Sequence, residues 1–155
     1  MSDVAVTPRY SGFWRRLGGA IIDGIIVFVI AGIVSFILAA VGLPRIIVLV
    51  ALELIVGLVY YTWGWGTGQT IGCMALKMKL VDQNTGAAPG YSKGLIRVIV
   101  VLVLGYVGPS LNQLTGTQVF GILGLLGLIG DLWMLWDAKK QTWQDKVAGT
   151  LVVDA

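Results

Sequence analysis

The sequence predicts an all-α membrane protein, a four-helix transmembrane bundle with a short amphipathic or β cap on its cytoplasmic side. Three observations predict it. The chain of 155 residues is 57% hydrophobic and only 12% charged, against about a quarter charged in soluble domains. Its apolar residues gather in four runs, about 17–41, 45–65, 94–109 and 119–136, of the order that a bilayer-crossing helix needs. The cations are lopsided: Arg9, Arg15, Arg16, Lys77, Lys79, Lys93, Arg97, Lys139, Lys140 and Lys146 fall on the side that four spans give to both termini, and only Arg45 on the other. The positive-inside rule then puts both termini in the cytoplasm.

Residues 1–12 read as a polar, weakly ordered cytoplasmic tail, and 13–155 as a single transmembrane domain. Phe13 and Trp14 beside Arg15 and Arg16 have the make-up of an interfacial anchor. The first span is too long for a signal-peptide core and is closed by Gly42-Leu43-Pro44. So short a link makes spans one and two antiparallel neighbours. Span two ends in Tyr60-Tyr61-Thr62-Trp63-Gly64-Trp65, an aromatic belt.

The cytoplasmic loop 66–93 holds Ile71 to Leu80, which reads as an amphipathic helix, an extended strand, or one followed by the other. Asp82-Gln83-Asn84-Thr85-Gly86 reads as a turn. Span three carries Arg97 in its first turn, and 109–118 is an uncharged loop. Span four repeats glycine at Gly121, Gly124, Gly127 and Gly130, a face that admits close helix packing. The cytoplasmic tail 137–155 finishes in a strand-like Thr150-Leu151-Val152-Val153.

Several function classes drop out. The cations flank apolar segments and form no basic block, so a net charge of +3 points to topology and to no nucleic-acid partner. A single cysteine, Cys73, and no histidine exclude a disulfide, Cys/His zinc sites and histidine-dependent triads. Gly66 to Gly72 lacks the spacing and the Gly-Lys-Ser/Thr of a phosphate loop. No enzyme, cofactor or metal site is expected. The expected partners are the lipid bilayer, a monovalent cation or proton, and a second copy or a larger membrane complex.

The informative residues are carboxylates inside predicted spans: Asp23, Glu53 and Asp131. Each costs roughly 2.5–3.5 kcal/mol to insert near the middle of a span, so intramembrane acids mark function or a structural network. Arg16 and Asp23, seven apart, share a helix face roughly 10 Å apart along the axis. Asp131 lies at similar depth near the end of span four, and Arg16 and Arg97 are the cations placed to pair with these acids. One reading is a polar pocket that binds a cation or exchanges protons; the other is an Arg–Asp network that holds the helices in register.

Taken together the pieces resemble the RDD family of small bacterial membrane proteins. Four elements carry the resemblance: Gly12-Phe13-Trp14-Arg15-Arg16 with Ile22-Asp23; Gly68-Gln69-Thr70-Ile71-Gly72 with Leu80-Val81-Asp82; Arg97 opening the third span; and Gln141-Thr142-Trp143-Gln144-Asp145-Lys146-Val147-Ala148-Gly149-Thr150-Leu151-Val152-Val153. The family is named for an Arg and two Asp, and the resemblance assigns these to Arg16, Asp23 and Asp145. Gln144 stands where the family often has His, and Cys73-Met74 where it is often basic. The resemblance implies transport of small ligands, with sodium–proton antiport in some members, or attachment to larger assemblies.

The expectation is therefore a proton-coupled cation or small-solute transporter using Arg16, Asp23, Glu53, Arg97, Asp131 and Asp145, or a non-catalytic accessory subunit of a larger bacterial membrane complex. Pairing of Lys79–Val81 with Thr150–Val153 would form the cap and bring Asp145 to Arg16 and Arg97.

Overall fold

The computed structural model describes residues 8–40, 42, 45–107 and 121–155. Its elements, in order, are α1 (Phe13–Ala39), α2 (Arg45–Thr67), α3 (Ile71–Ala75), β1 (Met78–Asp82), α4 (Tyr91–Leu102), α5 (Gly121–Leu132), α6 (Trp143–Ala148) and β2 (Thr150–Asp154). A π-helical turn, Val103–Val107, extends α4, and a 3-10 turn, Trp133–Leu135, extends α5. The protein is mostly helical with one small sheet. The loop expected at 109–118 and residues 1–7 lie outside the described residues.

α1 is built inside out relative to a water-soluble helix. Its buried residues, Gly19, Asp23, Val27, Ala31 and Ser35, recur every fourth position and form one stripe. Ile21, Ile25, Phe28, Ile33 and Phe36 face outward and are exposed. Small and polar residues inside, with large apolar ones outside, suit hydrocarbon, where no solvent drives large side chains inward. At 27 residues α1 is about 40 Å long, enough to cross a bilayer core of about 30 Å.

The four expected spans are each occupied by helix, but they are not equivalent. Among the described residues only α1 is both long and apolar enough to cross a membrane; the stretch Gly124–Leu135 is apolar but short. The regular part of α4 has 12 residues, about 18 Å of helix, because its last turn widens into the π-helical segment. α5 likewise tightens into a 3-10 turn before Trp136. α2 has 23 residues, sufficient by length alone.

The helix contacts run from α1 to α2, from α2 to α4, and from the π-helical end of α4 to α5. Among the described residues α1 and α5 share no contact of comparable extent.

Two glycine crossings fix the tightest approaches. A β-carbon on Gly94 of α4 would sit 2.8 Å from the Thr62 carbonyl oxygen and the Gly66 nitrogen of α2. A β-carbon on Gly72 would strike the Gly19 carbonyl oxygen of α1. Only glycine allows backbones this close. In α5, Gly127 and Gly130 pack on Leu104 and the Trp143 ring, so part of the glycine face is covered within the chain.

The cap follows the expected pairing. β1 and β2 are antiparallel with Leu80 opposite Val152. Alternation sends Met78, Leu80 and Val152 to one face, against Trp65, Cys73 and Leu76, and Val81, Leu151 and Val153 to the other, against Tyr10. The expectation of a loose segment up to residue 12 is corrected at its end: Tyr10 bridges Val153, and the Ser11 amide donates to the Val152 carbonyl at 3.0 Å. Ser11 Oγ and Arg9 hold Asp154 as well, at 2.6 and 3.3 Å. The exposed edge of β2 is thereby covered.

Candidate functional site

Asp145 is the most densely partnered side chain in the cap. It is the third residue of α6, whose N-cap Thr142 closes a capping box: Thr142 N–H donates to Asp145 Oδ2 at 3.0 Å, and Asp145 N–H donates to Thr142 Oγ1 at 3.4 Å. The same Oδ2 takes Arg16 Nη1 at 2.6 Å, and Oδ1 takes Arg97 Nη1. Asp145 is fully buried and Arg97 is 4% exposed. Burial pushes the Asp145 carboxyl upward in pKa, but the two guanidiniums outweigh it and hold it below the usual carboxylate range. Arg16 also donates from Nε to the Ser11 carbonyl at 3.2 Å, which ties the start of α1 to the sheet.

Asp23 is built differently. The expectation that Arg16 or Arg97 pairs with it is corrected: among the described residues Asp23 has no ion pair. Its carboxylate instead accepts from Tyr60 Oη and Thr70 Oγ1, each at 2.6 Å, and from Gly72 N–H at 2.7 Å. Tyr60 Oη in turn accepts from Ile71 N–H at 3.0 Å. The physical reason is local. The stripe that carries Asp23 carries Gly19 one turn earlier, and that notch admits α3 with its unpaired N-terminal amides. Asp23 thus fastens α1 to α2 and α3, while Arg16 is drawn to the sheet.

Asp131 is exposed on α5 and lies near Gln144. Among the described residues it has no ion pair. Glu53 belongs to α2, and its side chain lies outside the described residues.

Asp23 and Asp131, with Arg16 and Arg97, line a cavity of about 560 Å³ between α1, α2, α4, α5 and the underside of the cap. Arg16, Asp23, Arg97, Asp131, Thr142 and Gln144 lie on its wall at the cap end. The remaining wall is apolar, with Val27, Phe28, Leu54, Leu58 and Val101 among its residues, and Cys73 opens onto it. The Trp65 ring lies 4.7 Å from the Arg97 guanidinium carbon, a cation–π contact on the wall. Arg97 Nη1 also donates to Thr150 Oγ1 at 2.7 Å, whereas Arg97 Nε is buried without a partner among the described residues. Among the described residues no cluster of three metal-ligating side chains forms.

Tyr60, Thr70, Thr142, Gln144 and Trp65 are site residues that charge-based reading passes over. Tyr60 and Thr70 carry no charge to mark them. The available signal is the glycine pair Gly19 and Gly72, which announces a close backbone crossing beside an acid.

Over 108 residues the chain is 29% identical to proteins described as "Proline-rich antigen homolog" from Mycobacterium tuberculosis strains CDC 1551 / Oshkosh and ATCC 25618 / H37Rv. The match takes in 63% of this chain and 35% of each relative, so the aligned part spans about a third of the length of those curated proteins. No solved structure matches it. The profile of the RDD family matches residues 10–149, a span that contains Arg16, Asp23, Asp145 and the whole cavity wall but for Val152. The chain belongs to the RDD family.

Proposed function

We propose that this chain is a multi-pass protein of the bacterial cytoplasmic membrane, with both termini in the cytoplasm, that moves a small solute through its interhelical cavity in exchange for or together with protons. The carrying observation is the cavity itself, about 560 Å³, within the range of about 300–1,000 Å³ of small-molecule sites. The large apolar side chains exposed on α1, α2 and α5 support immersion of all three in lipid.

The partners of each acid support a division of labour. Asp145 is matched by two arginines and Asp23 by three donors, so a cation at either would have to displace hydrogen bonds already made. Asp131 faces the cavity and has no ion pair among the described residues, which makes it the group to exchange a proton. The activity is non-enzymatic.

A second reading, an accessory subunit of a larger bacterial membrane complex, draws on Trp14 and Trp136, 79% and 73% exposed. Interfacial tryptophans have the same exposure when only lipid covers them, so transport is preferred.

The test uses proteoliposomes loaded with a pH dye and challenged in turn with sodium, potassium and a panel of organic solutes. Solute-driven proton movement that is lost in Asp131→Asn supports transport. A flat trace for every challenge, in a folded and oriented preparation, overturns it.

A further inference from the structure

We propose that the cavity takes a monovalent organic cation with an apolar body, its charge beside Asp131 and its body against the hydrocarbon wall, in place of a proton on that acid. This rests on the reading of the cavity as a solute site and names the class of solute.

The charges at the cap end set the sign. Arg16 and Arg97 bring two positive charges there, and Asp145, Asp23 and Asp131 bring three negative ones. Asp145 is engaged by the two arginines, and Asp23 by two hydroxyls and an amide. Asp131 stands on the wall with no ion pair among the described residues. An ionised carboxylate within a span calls for a counter-charge. One positive charge balances this end; an anion adds to the excess, and a dication overshoots it.

The wall sets the kind of cation. A metal ion gives up its water only to several oxygen ligands, and among the described residues no three metal-ligating side chains gather. A hydrated ion would also leave the hydrocarbon of Val27, Leu54, Leu58 and Val101 facing water. An apolar body covers it. Phe13, Phe28, Tyr61 and Trp65 stand on the same wall. Aromatic rings suit both halves of such a solute, with broad apolar area for the body and a negative face for the charge. A cavity of about 560 Å³ is of the size that holds a compact organic molecule.

Cation and proton exclude one another, since either neutralises Asp131. The titratable or charged groups around it are Arg97 from α4 and Asp145 from α6, and across the cavity Arg16 and Asp23 from α1, Tyr61 from α2 and Cys73 from α3. Asp145 and Asp23 each hold a complete set of partners, so the exchange falls to Asp131.

The test uses two probes of one shape and opposite charge, tetraphenylphosphonium and tetraphenylborate. Retention of each radiolabelled ion by the protein in nanodiscs of zwitterionic lipid is measured, with protein-free nanodiscs subtracting what the lipid itself dissolves. Cys73, the one thiol of the chain, lines the cavity, and its alkylation by N-ethylmaleimide gives a second readout. Tetraphenylphosphonium is expected to bind saturably and to slow alkylation, and tetraphenylborate is not. Asp131→Asn is expected to weaken binding about tenfold or more, as loss of a close charge pair does, whereas Asp131→Glu retains it. Acidification is expected to weaken binding to the wild type and to leave the residual binding of Asp131→Asn unchanged.

Equal binding of tetraphenylborate overturns the sign of the charge. No saturable retention of tetraphenylphosphonium in the folded wild type overturns the inference, as does unaltered affinity in folded Asp131→Asn. Binding to the wild type that is insensitive to acid overturns the competition with a proton. If Asp131→Asn fails to fold, the borate and acid arms on the wild type still decide. Tetraphenylphosphonium binding without any solute-driven proton flux would keep this inference and remove transport; flux driven by a neutral solute without tetraphenylphosphonium binding would do the reverse.

Discussion

Asp145 and Asp23 are both buried, at 0% and 3% exposure, yet their partners differ in kind. Asp145 meets two guanidiniums and the amide of its own N-cap. Asp23 meets two hydroxyls and one amide. The first arrangement ties three separate parts, the start of α1, the second turn of α4 and the last helix, through formal charge. The second seats one short helix in a glycine notch through dipoles. The two acids are therefore not interchangeable. One fixes the cap onto the bundle, and the other fixes the connection between α2 and β1.

The largest expected effect breaks the charged partner set. Asp145→Ala leaves Arg16 and Arg97 buried side by side, and removing one partner of a buried ion pair costs about 3–5 kcal/mol. Thermal unfolding in detergent is expected to fall by more for this variant than for any single change at Asp23. Next comes the notch. Gly72→Ala drives a β-carbon into the Gly19 carbonyl and to 2.8 Å from the Asp23 carboxylate, so a cost of about 1–3 kcal/mol is expected. Gly19→Ala meets the far end of the Met78 side chain at 2.9 Å and the Gly72 backbone at an ordinary 3.5 Å, and is expected to be milder in the same melting assay.

Asp23→Asn keeps the shape but supplies one acceptor oxygen for three donors, a loss of about 1–2 kcal/mol within the range for an unpaired buried group. Hydrogen exchange is expected to rise at Ile71 and Gly72, with the cap unaffected. The smallest effect is acid dependence. The Asp145 pKa is depressed when folded, so its stabilisation is complete above the unfolded value of about 3.9 and is lost as pH falls through the folded value. The melting temperature should hold from neutrality to about pH 5 and then decline, with a shallower decline in Asp145→Asn.

Much of the cap is legible in the sequence. Met78 to Asp82 and Thr150 to Asp154 are short apolar runs with turn residues beside them, and pairing them carries Asp145 toward two arginines that have few other places to go. The Asp23 site is not legible by the same route. Helical spacing puts Arg16 and Asp23 on one face, but spacing cannot tell that Gly19 and Gly72 bring α3 between Asp23 and every cation. Tyr60 and Thr70 read as interface and loop residues because hydroxyl donors have no charge to betray them. The helix lengths are only partly legible, since hydropathy marks the run at 94–109 without showing that its regular helix gives way after Leu102.

The most direct test is a pair of double-mutant cycles on thermal stability, Arg16→Met with Asp145→Asn and Arg16→Met with Asp23→Asn. Contacting groups couple by about 0.5–3 kcal/mol, and independent ones add to within about 0.5 kcal/mol. The expected result is coupling of more than about 1 kcal/mol for Arg16 with Asp145 and additivity for Arg16 with Asp23. Strong coupling of Arg16 to Asp23, with additivity at Asp145, would contradict this division of the two acids.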